Sequence, residues 1–103
     1  MLKITALYTP PTDPGAFEAH YLSTHAPLVD AMPGLIRQET AMSVGTPDGS
    51  PAPYYRTAEL YFEDLAAVGA AFGSPEGQAT AKDATDLAAR TGCTLTLMIS
   101  QVD

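Results

Sequence analysis

The sequence is short of cysteine, of basic residues and of long apolar runs, and each shortage excludes a class of protein. Cys93 is the one cysteine among 103 residues, so neither an intrachain disulfide nor a cysteine-rich zinc site can form. Five basic residues stand against twelve acidic ones, which gives a net charge of -7, and Lys and Arg never cluster. Such a field repels phosphate backbones, so we expect no nucleic-acid partner.

Membrane and cofactor signals are equally scarce. No apolar run approaches the roughly 20 residues that a helix needs to cross a bilayer. Residues 1–5 lead into a strand-like segment rather than a secretory leader, so we expect a cytoplasmic protein with no membrane partner. The chain has no phosphate-binding glycine loop, dinucleotide fingerprint, nucleophile elbow or zinc-binding helix motif. We therefore expect no metal and no nucleotide or flavin cofactor.

The elements that are present predict one domain over residues 1–103 in the order β-α-β-β-α-β. Asp13, Asp64 and Ser74 are the predicted helix N-caps, the first and last of them followed by proline. Pro27 removes a backbone N–H and should disturb the first helix. Strands are predicted over residues 2–9, 35–44, 54–62 and 93–102. Helices are predicted over 14–24, 65–72 and 75–90, with a short helical piece at 27–31.

This order is the split βαβ unit of ferredoxin-like α+β folds, an antiparallel four-stranded sheet with its helices on one face. The other face needs a cover, because its side chains are mixed rather than polar. A second copy of the same sheet, related by a twofold axis, is the cover we expect, which makes the protein a homodimer. The residues of this face are Thr57, Glu59 and Tyr61 on one strand and Thr94, Thr96 and Met98 on another.

One segment of the first helix carries candidate chemistry. Tyr21 and His25 are four residues apart, so their side chains lie one above the other on a helix. His25 precedes the break at Pro27, where a space can open, and imidazole titrates near neutral pH. A hydroxyl and an imidazole converging on a cavity can move protons to and from a small substrate. The alternatives are structural: His25 bonding a carbonyl freed by Pro27, and Tyr21 packing in the core.

The same segment resembles a known family. Residues 21–28, Tyr-Leu-Ser-Thr-His-Ala-Pro-Leu, match the Tyr-x-x-x-His-x-Pro-Leu pattern of the EthD family of small dimeric α/β-barrel proteins. The resemblance continues at residues 33–35, 58–65 and 98–102, so it covers nearly the whole chain. Similar proteins often carry an Asp followed by a Pro-and-aromatic segment before the last strand. Residues 86–91 depart from this, so one pocket wall should be reshaped.

The resemblance implies a cofactor-independent, homodimeric enzyme that acts on a small aromatic or polyketide-like molecule in a pocket between helices and sheet. Its reaction would be oxidoreductase-like, or that of a lyase or isomerase. His25 would be the general acid or base, and Tyr21 would hydrogen-bond a substrate oxygen. A non-catalytic binding or accessory protein is the alternative, and a scaffold whose cavity is filled by its own side chains is a third. The residues expected to contact the substrate are Phe17, Leu28, Tyr61 and Met98.

Several other side chains receive structural predictions. His20 should point to the surface, and a metal site of His20 with His25 is rejected because residues five apart do not share an α-helical face. Tyr61 and Glu59 share a strand face and belong either to a dimer interface or to a barrel lumen. Cys93 is expected to be a small core residue. We also expect core filling by Met32, Met42 and Met98. The alternative is that they line an adaptable apolar pocket.

Overall fold

The computed structural model describes residues 1–103 and contains four strands and four helices. The strands are β1 (Leu2–Tyr8), β2 (Arg37–Met42), β3 (Arg56–Phe62) and β4 (Leu95–Gln101). The helices are α1 (Pro14–His20), α2 (Ala26–Asp30), α3 (Leu65–Gly73) and α4 (Pro75–Thr91). A π-helical turn (Tyr21–His25) joins α1 to α2. The strand ends differ from the predicted ones by at most two residues.

All four strands form one antiparallel sheet in the order β2-β3-β1-β4. Ile4 of β1 is paired with Leu60 of β3 on one side and with Ile99 of β4 on the other. Because side chains alternate along a strand, this register gives the sheet one apolar face, which lies under the helices. The ferredoxin-like α+β fold predicted from the order of elements is confirmed.

Three helices begin at the side-chain caps that the sequence predicts. Asp13, Asp64 and Ser74 each accept a hydrogen bond from the backbone N–H three residues on, at 3.1, 2.8 and 3.0 Å. These bonds satisfy donors that have no partner within the first turn of a helix. Helix α4 ends at Gly92, whose φ of 76° lies in the left-handed region that favours glycine. None of the helices combines the length and the apolar character needed to cross a bilayer.

The first helical region differs from the α-helix predicted over residues 14–24. It widens into the π-helical turn Tyr21–His25, where the Ala26 N–H donates to the carbonyl five residues back. Pro27 accounts for the widening, because it has no N–H for the carbonyl four residues before it and its ring crowds a regular α turn. Helix α2 then begins one residue earlier than the predicted 27–31.

The core lies between the helices and the apolar face of the sheet. Its largest fully buried side chains include Tyr8, Phe17, Phe62 and Leu87. Met32 lies within this core, as predicted, and Cys93 packs against it half-buried. The core filling predicted for Met42 and Met98 is wrong, because both are exposed. The core cluster comprises Ile4, Ala6, Tyr8, Phe17, Tyr21, Val29, Met32, Ala58, Leu60, Phe62, Val68, Ala71 and Leu87.

The opposite face of the sheet carries a network of paired charges, which we call the outer face. Lys3 Nζ lies 3.1 Å from Glu59 Oε1. The Tyr61 hydroxyl is within hydrogen-bond distance of Glu59 Oε2, at 3.0 Å, and of Glu39 Oε1, at 3.1 Å. The Arg37 guanidinium lies 3.9 Å from the centroid of the Tyr61 ring. These contacts offset the repulsion between Glu39 and Glu59, which the register places directly opposite each other.

Candidate active site

His25 is the last residue of the π-helical turn and is held by an aspartate from another helix. Its side chain is buried, with 5% of the residue exposed. His25 Nδ1 lies 2.9 Å from Oδ2 of Asp83, which projects from the middle of α4. The contact joins residues 58 positions apart in the chain. A carboxylate on one ring nitrogen fixes both the orientation and the tautomer of an imidazole.

His20 binds the same carboxylate, which corrects the prediction that it points away to the surface. His20 Nε2 lies 2.8 Å from Asp83 Oδ1 and 2.9 Å from Asp83 Oδ2. The prediction was wrong because it assumed α-helical spacing throughout. A π-helical turn pairs residues five apart, and this brings His20 and His25 to the same side. Both histidines bind Asp83, and no group of three or more His, Cys, Asp or Glu residues is arranged to hold a metal ion.

The electrostatics of the pair leave Asp83 ionised and His25 neutral. Burial raises the pKa of Asp83, but hydrogen bonds from His20 and His25 outweigh it and leave that pKa below its ordinary value. Burial, the largest influence, and the charge of His20 together lower the pKa of His25 more than the hydrogen bond and charge of Asp83 raise it. His25 therefore donates its Nδ1–H to the carboxylate near neutral pH, and Nε2 carries an unprotonated lone pair.

His25 lines a cavity of about 100 Å³ between α4 and the sheet. The cavity exists because small side chains face each other across the two layers: Ala6 and Ala58 from the sheet, Ala81 and Ala84 from α4. Close-packed protein interiors contain few voids larger than a water molecule, so a cavity of this size indicates a binding site. Eleven of its fourteen lining residues are hydrophobic, and the full set is Ile4, Ala6, Tyr8, His25, Val29, Ala58, Leu60, Phe72, Thr80, Ala81, Ala84, Thr85, Leu95 and Leu97.

Three polar groups on residues of this lining have no hydrogen-bond partner within the protein: His25 Nε2 and the hydroxyls of Tyr8 and Thr85. Neither His25 Nε2 nor the Tyr8 hydroxyl makes a hydrogen bond within the protein. Both atoms keep some accessible surface, because the unpaired atoms that are fully enclosed are Glu18 Oε2 and Arg56 Nε. Burial, followed by the charge of nearby groups, raises the pKa of Tyr8, so its hydroxyl stays protonated. The residues that line the cavity thus supply one hydrogen-bond acceptor of basic character, on His25, and the hydroxyl donors of Tyr8 and Thr85.

Tyr21 and Phe17 lie behind His25 rather than in the cavity. The Tyr21 ring centroid is 5.5 Å from that of His25 and 5.2 Å from that of Phe17, with which it stacks. The Arg56 guanidinium covers the ring at 4.6 Å. Burial raises the pKa of Tyr21 to about 12. Neither residue lines the cavity in one subunit, and the substrate contacts expected of them stay predictions.

The other predicted substrate contacts also fall outside this cavity. Leu28 is half-buried, and its carbonyl accepts a hydrogen bond from Thr80 Oγ1 at 3.0 Å, which fastens α2 to α4. Tyr61 lies on the outer face, separated from His25 by the sheet. Met98 is paired with Thr5 on that side and borders a separate apolar groove beside β4. Within one subunit, Leu28 and Tyr61 line neither the cavity nor this groove, whereas Met98 lines the groove alone.

Sequence reasoning missed two residues of the site, Asp83 and Tyr8, although both left a signal. Asp83 lies three residues after Thr80 and four before Leu87, on the stripe that α4 buries. An acidic residue at such a position requires a partner, because an unpaired buried carboxylate is costly. Tyr8 continues the inward alternation of Ile4 and Ala6 at the end of β1.

Known proteins share this chain's sequence and fold over nearly their whole lengths. The family model of the EthD domain matches residues 9–91. An uncharacterized 11.0 kDa protein from the thcB-thcC intergenic region of Rhodococcus erythropolis is 43% identical over 88 residues, which cover 85% of this chain and 84% of that protein.

Solved structures agree with the sequence matches. The crystal structure of an ethyl tert-butyl ether D (EthD) family protein from Bacillus halodurans has a TM-score of 0.91 at 39% identity, covering 100% of this chain and 99% of that one. A cofactor-independent oxygenase from Streptomyces nogalater has a TM-score of 0.69 at 14% identity, covering 99% and 92%, and shares the fold alone. The family model, the Rhodococcus relative and the Bacillus structure together establish that this chain belongs to the EthD family.

Proposed function

We propose that this protein is an enzyme that moves a proton on a small, neutral organic molecule, with His25 as the general base. The observation that carries the proposal is that His25 lines an apolar cavity with no protein partner on Nε2, while Asp83 Oδ2 lies 2.9 Å from its Nδ1. A neutral imidazole fixed by a carboxylate is a base matched to work near neutral pH. The reaction classes that fit are those of an isomerase, a lyase or an oxidoreductase-like enzyme that begins with proton abstraction.

The proposed step starts when a substrate presents an acidic C–H or O–H to His25. The proton passes to Nε2, and the electron pair it leaves moves onto a substrate oxygen as an enolate or phenolate. Asp83 stabilises the imidazolium through Nδ1–H, and the Tyr8 hydroxyl donates a hydrogen bond to the oxygen that gains charge. Return of the proton to another substrate atom completes an isomerisation. Departure of a leaving group from the neighbouring carbon completes an elimination instead.

The lining of the cavity sets the expected substrate class. No Lys, Arg, Asp or Glu lines it, so a carboxylate or phosphate would lose its hydration without gaining a counter-charge. A dry apolar cavity of roughly 150 Å³ is enough for benzene. The observed volume of about 100 Å³, open on one side, suits the reacting end of a neutral aromatic or polyketide-like compound.

Deuterium exchange into neutral aryl ketones tests the catalytic claim without knowledge of the full reaction. The wild type is expected to accelerate exchange at the acidic C–H of a ketone that it binds, and His25→Ala to lower that rate by about 10²- to 10⁴-fold. Because the pKa of His25 is lowered, the base remains unprotonated below its ordinary pKa, and the rate should hold its plateau into mildly acidic solution. NMR measures the exchange.

Equal exchange with wild type and His25→Ala, for a ketone that binds both, would contradict catalysis. That outcome would favour the second candidate, a non-catalytic small-molecule binding or accessory protein. The predominantly apolar lining suits this role as well, and the presence of both His25 and Tyr8 in the cavity is what favours the enzyme.

The proposed assembly is a homodimer formed through the outer face. Lys3 and Arg37 balance Glu39 and Glu59 there, so this surface is neutral in a chain of net charge -7. A neutral face is where copies of an acidic protein can approach with the least repulsion. Light scattering should give the mass of a dimer for the wild type. A monomeric mass at micromolar concentration would overturn this arrangement.

A further inference from the structure

The apolar groove beside β4 shares its floor with the cavity at His25. We define this groove by the residues that enclose it from α3 and β4, chiefly Gly69, Phe72, Leu97 and Ile99, with Ile4 beneath. Its volume is about 330 Å³. Ile4, Phe72 and Leu97 line both spaces, so the groove and the cavity meet along these three side chains.

The groove is apolar and open to solvent. No charged residue lines it, and two of its β4 side chains, Leu97 and Ile99, are 57% and 55% exposed. Apolar patches of this kind on a surface commonly mark a binding site. The groove therefore has the chemistry to accept a hydrocarbon and nothing that would attract a charged group.

The glycine at position 69 is a second observation that indicates a ligand in the groove. It lies inside α3, where glycine destabilises a helix by roughly 1 kcal/mol relative to alanine. Its backbone has no left-handed torsion, and a Cβ built on it would meet no atom within 4 Å. Neither conformation nor protein packing requires glycine here, but a side chain at this position would project into the groove and make it shallower.

We infer that the substrate is an elongated neutral molecule, whose polar reactive end lies at His25 and whose apolar tail lies in the groove between α3 and β4. The inference rests on the proposed function, because the reactive end is placed by His25 and Tyr8. It extends that function from the reacting end of the substrate to the rest of the molecule, and narrows the class to alkyl-substituted aromatic or polyketide-like compounds. Burial of a chain along Leu97, Ile99 and Phe72 would supply binding energy that the small cavity alone lacks.

A series of alkyl phenyl ketones from acetophenone to hexanophenone tests the inference by titration calorimetry. Each of the four added methylenes is expected to tighten binding to the wild type about two- to fourfold, which compounds to roughly 16- to 260-fold over the series. Gly69→Leu should bind acetophenone as the wild type does and lose the gain with chain length. Leucine is a better helix former than glycine, so this variant should fold.

Ala70→Leu is the matched control, since it adds the same side chain at a neighbouring exposed position of α3 that does not line the groove. It should keep the full dependence on chain length. Acetophenone binding without any dependence on chain length would overturn the groove proposal and leave the proposed function standing. An equal dependence in Gly69→Leu and wild type would also overturn it. Failure of every ketone to bind would overturn both proposals.

Discussion

Ala84→Leu is expected to abolish ligand binding at His25 and to leave the fold intact. Ala84 is buried on α4 and forms part of the cavity wall, so the larger side chain would occupy space that a ligand needs. The added carbons fill a void rather than displace packed atoms. Each buried methylene contributes about 0.8 kcal/mol, which offsets the 1–3 kcal/mol that overpacking typically costs. We expect acetophenone affinity to fall at least about 100-fold, with a melting temperature near that of the wild type.

The control for this variant is Ala79→Leu, which adds the same side chain to the exposed side of the same helix. It should bind acetophenone as the wild type does. If Ala84→Leu fails to fold, Ala81→Leu fills the cavity from the rim of the wall, where packing is looser. Wild-type affinity in a folded Ala84→Leu protein would show that ligands bind elsewhere.

Glu18→Ala is expected to cost about 3 kcal/mol of the free energy of unfolding. Arg56 Nη2 lies 2.6 Å from Glu18 Oε1, and the Arg56 side chain is only 6% exposed. Removing the carboxylate leaves a buried guanidinium without a counter-charge, which typically costs 3–5 kcal/mol. The lower end of this range applies because Glu18 itself is 31% exposed and water can partly replace it. Urea denaturation measures the loss.

The double variant Glu18→Leu/Arg56→Met separates two contributions to the free energy of unfolding: the loss caused by an unpaired Arg56 charge, and the net stabilisation by the ion pair. Glu18 Oε2 and Arg56 Nε already lack partners, so the pair is incompletely satisfied. Apolar replacement of both residues should therefore recover most of the stability that Glu18→Ala loses. A loss below about 1 kcal/mol in Glu18→Ala would mean that the guanidinium is better hydrated than its burial indicates.

The elements that could be predicted from the sequence are those set by local chemistry. Asp13 and Ser74 act within three residues of themselves, so a cap followed by proline is enough to place the starts of α1 and α4. Strand alternation likewise separated the outer-face residues, such as Tyr61, from the core-facing ones. Alternation alone does not bring Tyr61 to the substrate, because the sheet separates it from His25 in one subunit, and that contact stays a prediction.

The candidate site was predicted only in part, because its other half comes from distant residues. The motif around His25 identified the base, but the partner that fixes its tautomer lies on α4. His20 was misplaced for a different reason: the α-helical period holds only as far as Pro27 permits, and the widened turn changes which residues share a side. The small residues that open the cavity, Ala81 and Ala84 among them, look like ordinary helix formers in the sequence.

The most direct test of the central claim, that His25 faces a ligand-binding cavity, is a thermal-shift screen of wild type and His25→Ala. The panel consists of small neutral aromatic and polyketide-like compounds. A ligand that binds only the native state raises the melting temperature by mass action. We predict that some compounds stabilise the wild type and lose most of that effect in the variant. Two results would contradict the account and make His25 a structural residue. In the first, the compounds stabilise both proteins equally. In the second, they stabilise neither protein, and His25→Ala without ligand melts at a lower temperature than the wild type.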